Sequence, residues 1–280
     1  QLANLAAGNF LCAAMLLDEL QEPGGLNAND LRSLSGGLSD FYHQSFGKRF
    51  PDLPTFRSRH ALLLDVIAAA RAPVTLKLLC HALGQAEDDV RDAIRDLRVF
   101  LRRTGHGEAA YLPFHRSLTD WLSDERLAGQ YYRKLGRGEP SLAEACWQEC
   151  LGPPESLSEY SYRNLSVHLG RLCRWDELLH AVRNPQLDLL PRRDENGEGD
   201  YGIACPRGLI GYLNDEGRDR ITAAGLATQL ARIYSAQGRY DDARSCLRAH
   251  AIAATSWIRG RRAHAIALHE LGSLELYRSN

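Results

Sequence analysis

The sequence predicts a mainly α-helical protein, and three features of its 280 residues support that prediction. Apolar residues recur every three or four positions through most of the chain, which is the spacing of one helix face. Only one short segment has the aromatic, extended pattern of a strand. Residues 221–280 contain an internal repeat, which is typical of stacked helical hairpins. A chain of this length is expected to form about two domains.

Two helices are predicted in residues 1–55. Residues 1–20 carry apolar side chains at helical spacing, and Pro23 with the two glycines after it ends that helix. Residues 38–49 form the second helical pattern. Because the sequence starts within a helical pattern and without a methionine, we expect further residues upstream of it.

Residues 56–125 have the pattern of a compact helical domain with a small β wing. The apolar face of its first helix is formed by Leu63, Val66, Ile67 and Ala70. A second helix follows Thr75, and a third is predicted over residues 86–102. Residues 109–114 are short, aromatic and extended, and residues 115–122 form a last helical pattern. Three helices followed by a turn and a short strand are the organisation of a winged-helix domain.

The rest of the chain is predicted to be a helical arm followed by a TPR-like α-solenoid. Residues 126–220 form the arm, with a surface loop near 187–206 because that stretch is polar and rich in turn formers. In residues 221–280 the tetratricopeptide (TPR) pattern is carried by Ala227, Leu230, Ala231, Tyr234, Gly238, Tyr240, Ala243 and Leu247. A second, truncated copy begins at Ala267, and its Leu271-Gly272 matches Leu230-Ala231. The alternative is a plain helical hairpin without a repeat.

Composition and cysteine use exclude several classes of partner. The formal net charge of -1 gives no overall attraction to nucleic acid or to anionic membranes. No apolar run approaches the roughly 20 residues that a membrane-spanning helix needs. The seven cysteines are odd in number and lie in apolar helical contexts. This usage favours a reducing compartment, so we expect a cytoplasmic protein.

Four ordered segments resemble one family, the STAND-class signalling NTPases with NACHT or NB-ARC-like centres. Residues 6–20, AAGNFLCAAMLLDEL, resemble the helix that closes the lid subdomain of that family. Residues 62–84 look like the start of its winged helix, and residues 111–122, YLPFHRSLTDWL, are similar to the segment that ends it. Residues 160–182 resemble the helical arm that follows. The resemblance covers roughly residues 1–182 and places residues 1–55 at the end of the lid.

This resemblance implies a regulatory function for the chain. In the family, ADP or ATP binds between a P-loop domain, the lid and the winged helix, and ADP holds a closed monomer. A ligand or protein partner on the repeats opens the molecule, ATP replaces ADP, and the opened protomers form a homo-oligomer. The parent protein would therefore be an ATPase that senses a partner and signals by assembly.

The nucleotide-cleaving centre itself is missing from this sequence. No G-x-x-x-x-G-K-[ST] motif occurs, and Gly47-Lys48 lacks both the earlier glycine and a following Ser or Thr. A P-loop needs that backbone cradle and its lysine to hold phosphates. We therefore expect no ATP hydrolysis by this chain alone. ADP or ATP would be bound mostly by residues outside it, and we expect no metal ligands or catalytic residues within it.

His115 is the one candidate site residue. By resemblance it matches the winged-helix histidine that contacts the β-phosphate of ADP. An imidazole can donate a hydrogen bond to a phosphate oxygen, and a hydrogen bond to a charged group contributes about 1.5–3 kcal/mol. The alternative is that His115 only caps the helix after Phe114 or lies on the surface. Ser117, His115 and Asp120 are not expected to form a catalytic triad, because one short helix cannot orient all three.

Two other functions remain open on the sequence. The first is a DNA-binding winged-helix transcriptional regulator, although Asp88, Asp89 and Asp92 at the start of the third helix would repel phosphates. The second is a helical-repeat protein-interaction adaptor without any nucleotide. An adaptor would explain residues 221–280 but not the segments at 6–20 and 111–122.

Overall fold

The fold is described from a computed structural model of the chain. It describes residues 10–22, 25–27, 29–30, 37–105, 108–153, 156–183, 192–193, 200–201, 220–236, 238–252 and 261–279. These residues are mainly helical and include one small three-stranded sheet, so the predicted mainly α class is confirmed.

The chain divides into two compact units, residues 1–145 and residues 146–280, and each is described by itself. The boundary falls inside the predicted helical arm of residues 126–220. The finer division of the sequence at residues 55, 125 and 220 stays a prediction.

The first unit contains most of the short elements. Its described helices are α1 (Phe10–Gln21), α2 (Leu38–Arg49), α3 (Leu53–Thr55), α4 (Ala61–Ala69), α5 (Leu76–Leu83), α6 (Glu87–Asp96), α7 (Arg116–Leu122), α8 (Glu125–Ala128) and the beginning of α9 (Glu139–Leu151). Its strands are β1 (Val74–Thr75), β2 (Leu101–Thr104) and β3 (Ala110–Pro113). A π-helical turn, Phe56–His60, joins α3 to α4, and a 3₁₀ turn, Gly129–Tyr131, follows α8.

The three strands form an antiparallel sheet in the order β1-β3-β2. Val74 of β1 pairs with Tyr111, and Arg103 of β2 pairs with the same residue from the other side. The extended segment predicted over residues 109–114 is therefore confirmed as the central strand β3.

The helix predicted over residues 86–102 is correct only in its first part. The helix α6 ends at Asp96, and the chain passes through a turn into β2 at Leu101. Leu97 and Leu101 are both buried, and their spacing of four residues imitates a helix face. Periodicity alone cannot show that the backbone after the turn pairs with β3, because that partner lies further along the chain.

Aromatic side chains form the core that joins α2 to α7. The ring of Phe46 lies 4.5 Å from that of Phe100, 5.0 Å from that of Trp121 and 5.4 Å from that of Tyr131, measured between centroids. All four side chains are buried. These contacts fix α7 against α2, and α7 is the helix that begins directly after His115.

The described part of the second unit is helical apart from two short strands. It contains the rest of α9, then α10 (Glu159–Arg171), α11 (Trp175–Arg183), β4 (Arg192–Arg193), β5 (Asp200–Tyr201), α12 (Arg220–Ala236), α13 (Tyr240–Cys246), a π-helical segment (Leu247–Ile252) and α14 (Arg261–Ser279). The predicted surface loop near 187–206 lies outside the described residues, except for the paired strands β4 and β5.

The helices α12 and α13 pack against each other. Gly238 has a φ of 73°, the left-handed conformation that glycine adopts without strain, and it makes the turn between the helices. Ala227, Ala231 and Ala243 are fully or almost fully buried, so small side chains stand where the helices meet. In α14, which packs against α12, Glu270 binds the guanidinium of Arg232 at 2.8 Å.

Five of the cysteines lie in contrasting environments. Cys146, Cys150 and Cys246 are buried, Cys80 is half-buried and Cys173 is exposed. Burial raises the pKa of the Cys150 thiol to about 11 and that of Cys246 to about 12.

Within the described residues, no helix combines the length and the apolar character needed to cross a membrane.

Candidate functional site around His115

The backbone places His115 between the sheet and the helix α7. Strand β3 ends at Pro113, and the Phe114 amide then donates to the carbonyl of Phe100 at 2.8 Å. His115 follows with extended backbone angles, φ −150° and ψ 152°, and it is the N-cap residue of α7. Its side chain is exposed.

The imidazole of His115 caps its own helix. Its Nδ1 atom accepts a hydrogen bond from the backbone amide of Ser117 at 3.1 Å. A nitrogen that accepts must offer its lone pair, so in neutral imidazole the proton is carried by Nε2. The structure therefore shows that His115 caps the helix after Phe114, as the alternative to a nucleotide role stated. Capping uses only Nδ1 and leaves the Nε2–H group as a donor.

A buried tyrosine extends this contact into the core. The hydroxyl of Ser117 lies 2.9 Å from Nδ1 of His115, and the hydroxyl of Tyr42 lies 2.9 Å from that of Ser117. Tyr42 is fully buried in α2, and its hydroxyl also lies 3.7 Å from the sulfur of Met15 in α1. We call these three residues the His115–Ser117–Tyr42 chain.

No catalytic triad is assembled from the three residues considered in the sequence. Ser117 does contact His115, which the argument from a single short helix did not anticipate. Asp120 instead pairs with Arg116, with Oδ1 and Nε 3.5 Å apart, and both side chains are largely exposed. The hydroxyl of Ser117 is already engaged by Tyr42, so the arrangement fits orientation of the imidazole better than nucleophilic attack.

A buried ion pair also joins α1 to α2. The Glu19 carboxylate is completely buried, and the Arg49 guanidinium binds it through Nε to Oε1 at 2.9 Å and Nη2 to Oε2 at 2.6 Å. The hydroxyl of Ser45 donates to the same carboxylate. Sequence reasoning missed this pair. The one available signal was an acid on the apolar stripe of α1, which a buried partner has to neutralise.

A cavity of about 410 Å³ opens beside the end of α2. Its lining includes Arg49, Arg59, His60 and Asp96. Nε2 of His60 lies 2.9 Å from Oδ2 of Asp96, while its Nδ1 has no hydrogen-bond partner among the described residues. Burial lowers the pKa of His60 below its ordinary value of 6.5, although the hydrogen bond to Asp96 acts in the opposite direction.

Among the described residues, no group of three or more His, Cys, Asp or Glu side chains is arranged to hold a metal ion. The acidic first turn of α6, with Glu87, Asp88 and Asp89, is exposed, as the sequence suggested.

Comparisons with models of protein families, with curated proteins and with solved structures found no match to this chain.

Proposed function

We propose that this chain is the regulatory part of a signal-transduction NTPase of the STAND class. In this proposal residues 56–125 form a winged-helix domain that senses bound ADP or ATP, and the helical repeats of residues 221–280 sense a ligand or a protein partner. The two together control homo-oligomerisation of the parent protein in the cytoplasm. The nucleotide is held mostly by residues outside this chain.

The order of elements in the first unit supports the winged-helix part. Helix α4, strand β1, helices α5 and α6, and strands β2 and β3 follow each other, and the sheet order is β1-β3-β2. The sequence pattern predicts three helices followed by a turn and one short strand, and in the structure β1 and β2 pair with that strand to form a small sheet. The hairpin of α12 and α13, with buried alanines at its interface, supports the repeat part in the same way.

The single observation that carries the nucleotide role is the position of the His115 Nε2–H group. It stands at the surface, while Nδ1 is held by the backbone of α7. An exposed donor fixed on a packed helix suits a phosphate oxygen supplied by a neighbouring domain. A hydrogen bond to a charged group contributes about 1.5–3 kcal/mol, which corresponds to about 10- to 150-fold in an equilibrium constant.

The first experiment is to read the coding sequence upstream of Gln1. A P-loop motif within about 250 residues, which is an ordinary domain length, is the expected result. If the upstream sequence encodes no P-loop, the proposed class is wrong.

The second experiment tests His115 in the longer polypeptide. We expect His115→Ala to weaken ADP binding about 10- to 150-fold and to lower the ADP content of the purified protein. His81→Ala is the matched control, because His81 is an exposed histidine on α5. Unchanged ADP retention together with unchanged basal signalling would reject the nucleotide role.

A helical-repeat adaptor is a second candidate function, and the packing of α12, α13 and α14 favours it. An adaptor would bind its protein partner equally well with and without nucleotide. A pull-down by the longer protein in the presence of ADP or ATP separates the two candidates, because the regulatory NTPase must respond to the exchange.

DNA binding has less support from the structure. The exposed first turn of α6 is acidic, and phosphate contacts need the opposite charge. A salt-dependent shift of duplex DNA by the purified chain would restore this function.

A further inference from the structure

We propose that Ser117 and Tyr42 are positioning residues that hold His115 in its Nε2–H tautomer, so that this site accepts only a hydrogen-bond acceptor such as a phosphate or carboxylate oxygen. The geometry stands by itself, but the ligand class rests on the proposed function. Separate experiments test the two parts.

The direction of each proton follows from the contacts. The backbone amide of Ser117 can only donate, so Nδ1 of His115, 3.1 Å away, carries no proton. The Ser117 hydroxyl lies 2.9 Å from the same nitrogen, and in the proposed arrangement it donates to it. Its one proton is then used, so the Tyr42 hydroxyl, 2.9 Å from Ser117 Oγ, donates to that oxygen. The sulfur of Met15, at 3.7 Å, is a weak acceptor for the same Tyr42 proton.

This proton arrangement is held in place by the core. The ring of Tyr42 packs 5.5 Å from that of Trp121 and 6.3 Å from that of Phe100, so its hydroxyl has a fixed position. Consecutive hydrogen bonds strengthen each other, because each hydroxyl that accepts becomes a better donor, and here the chain begins at the buried hydroxyl of Tyr42. The Nδ1 atom of the imidazole accepts the strengthened hydrogen bond, which leaves Nε2–H as the group that faces a ligand.

Together with Met15, the His115–Ser117–Tyr42 chain connects three helices. Tyr42 belongs to α2, Met15 to α1, and His115 and Ser117 to the beginning of α7. A displacement of α7 from α2 would break the contact between Ser117 and Tyr42 before it disturbs the N-cap, which is local to α7. The tautomer preference of His115 therefore reports how α7 sits on α2.

The test uses the 280-residue chain labelled with ¹⁵N in its histidines, without nucleotide. The ¹⁵N shifts of a neutral imidazole distinguish a protonated from an unprotonated ring nitrogen. In the wild type we expect His115 to show protonated Nε2 and unprotonated Nδ1. In Ser117→Ala we expect the ratio of the two tautomers to shift toward Nδ1–H by about 2- to 10-fold, as the loss of one hydrogen bond predicts.

Further variants separate positioning from folding. Ser117→Thr keeps a hydroxyl and is expected to restore the wild-type ratio. Tyr42→Phe keeps the ring packing and is expected to shift the ratio in the same direction as Ser117→Ala, but less. Ser123→Ala is the matched control at the C-cap of α7, because the Ser123 hydroxyl donates to the Asp120 carbonyl at 3.0 Å. It should leave the His115 ratio unchanged.

The outcomes for this inference and for the proposed function are distinct. An Nδ1–H tautomer in the wild type, or an identical ratio in Ser117→Ala, overturns the positioning role even if His115→Ala weakens ADP binding in the longer protein. A shifted ratio together with unaffected ADP binding supports the positioning geometry and rejects the nucleotide role. If both experiments give the expected result, Ser117→Ala in the longer protein should also weaken ADP binding, by less than His115→Ala.

Discussion

The guanidinium of Arg133 binds the buried carboxylate of Asp65 through both of its oxygens. Nε of Arg133 lies 2.8 Å from Oδ1, and Nη2 contacts Oδ2. Asp65 is 1% exposed and Arg133 is 12% exposed, so both charges are largely removed from water. The backbone amide of Arg133 also donates to the carbonyl of Leu122 at 2.7 Å. Arg133 thus joins the helix α4 to the end of α7.

Removing one charge of this pair is expected to destabilise the first unit strongly. Asp65→Ala leaves the Arg133 guanidinium without its buried partner, which costs about 3–5 kcal/mol in the free energy of unfolding. Urea denaturation followed by tryptophan fluorescence measures this change. Asp88→Ala on the exposed face of α6 is the control and should change the free energy by less than about 0.5 kcal/mol. Equal effects of the two variants would contradict the importance of the pair.

The buried His60 predicts a specific dependence of stability on pH. Its pKa is lower in the folded protein than in the unfolded chain, so below pH 6.5 the unfolded chain binds more protons. The contribution of His60 to stability is therefore complete above that pH and is lost as the pH falls through the folded pKa. His60→Gln keeps an N–H donor for Asp96 but binds no proton.

Comparison of wild type and His60→Gln isolates this contribution. Urea denaturation between about pH 7.5 and about pH 5.5 should show a steeper loss of stability in the wild type than in the variant. Parallel curves for the two proteins would show that His60 protonates as easily in the folded state as in the unfolded chain.

The aromatic core predicts a large effect of shortening Phe46. This ring contacts Phe100, Trp121 and Tyr131, and it is completely buried. Phe46→Ala is expected to lower the free energy of unfolding by about 3–5 kcal/mol, from lost burial and the cavity left behind. Thermal unfolding followed by circular dichroism provides the measurement. Leu135→Ala, at a side chain that is 66% exposed, should have little effect, and a similar loss in both variants would argue against this core.

The cysteines are expected to differ in their reactivity toward iodoacetamide. The thiolate is the reacting form, and burial raises the pKa of Cys150 and Cys246 far above neutral pH. Exposed Cys173 should be alkylated in the native protein, while those two react only after denaturation in urea. Peptide mass spectrometry resolves each site. Modification of Cys246 at the rate of Cys173 in the native protein would contradict the packing of α13 on α12.

Short-range sequence patterns predicted the positions of several helices and the beginnings of two of them. Apolar spacing placed α2, α4 and α7, and Thr75 caps α5 with a hydrogen bond from the Leu78 amide at 3.3 Å. The beginning of a helix at His115 was likewise visible from the sequence. Each of these features depends on residues only a few positions apart, and the pattern of the sequence contains that information.

The contacts that shape the candidate site lie far apart in the sequence. Tyr42 and Ser117 come from different helices, and so do Glu19 and Arg49. Periodicity shows which face of a helix is apolar but not which other face it meets. Strand β2 was missed for the same reason, because its pairing with β3 depends on a partner beyond the helix pattern. One sequence without its relatives does not reveal such pairs.

Gly25 lies against the backbone of Glu19, the acid of the buried Glu19–Arg49 ion pair. A Cβ atom at position 25 would come 2.1 Å from the backbone carbonyl oxygen of Glu19, and no side-chain rotation can relieve a clash with backbone. Because that carbonyl belongs to the backbone, glycine is expected at this position in relatives whatever side chains stand at positions 19 and 49. Position 25 should therefore vary less in an alignment than the acid and the arginine themselves.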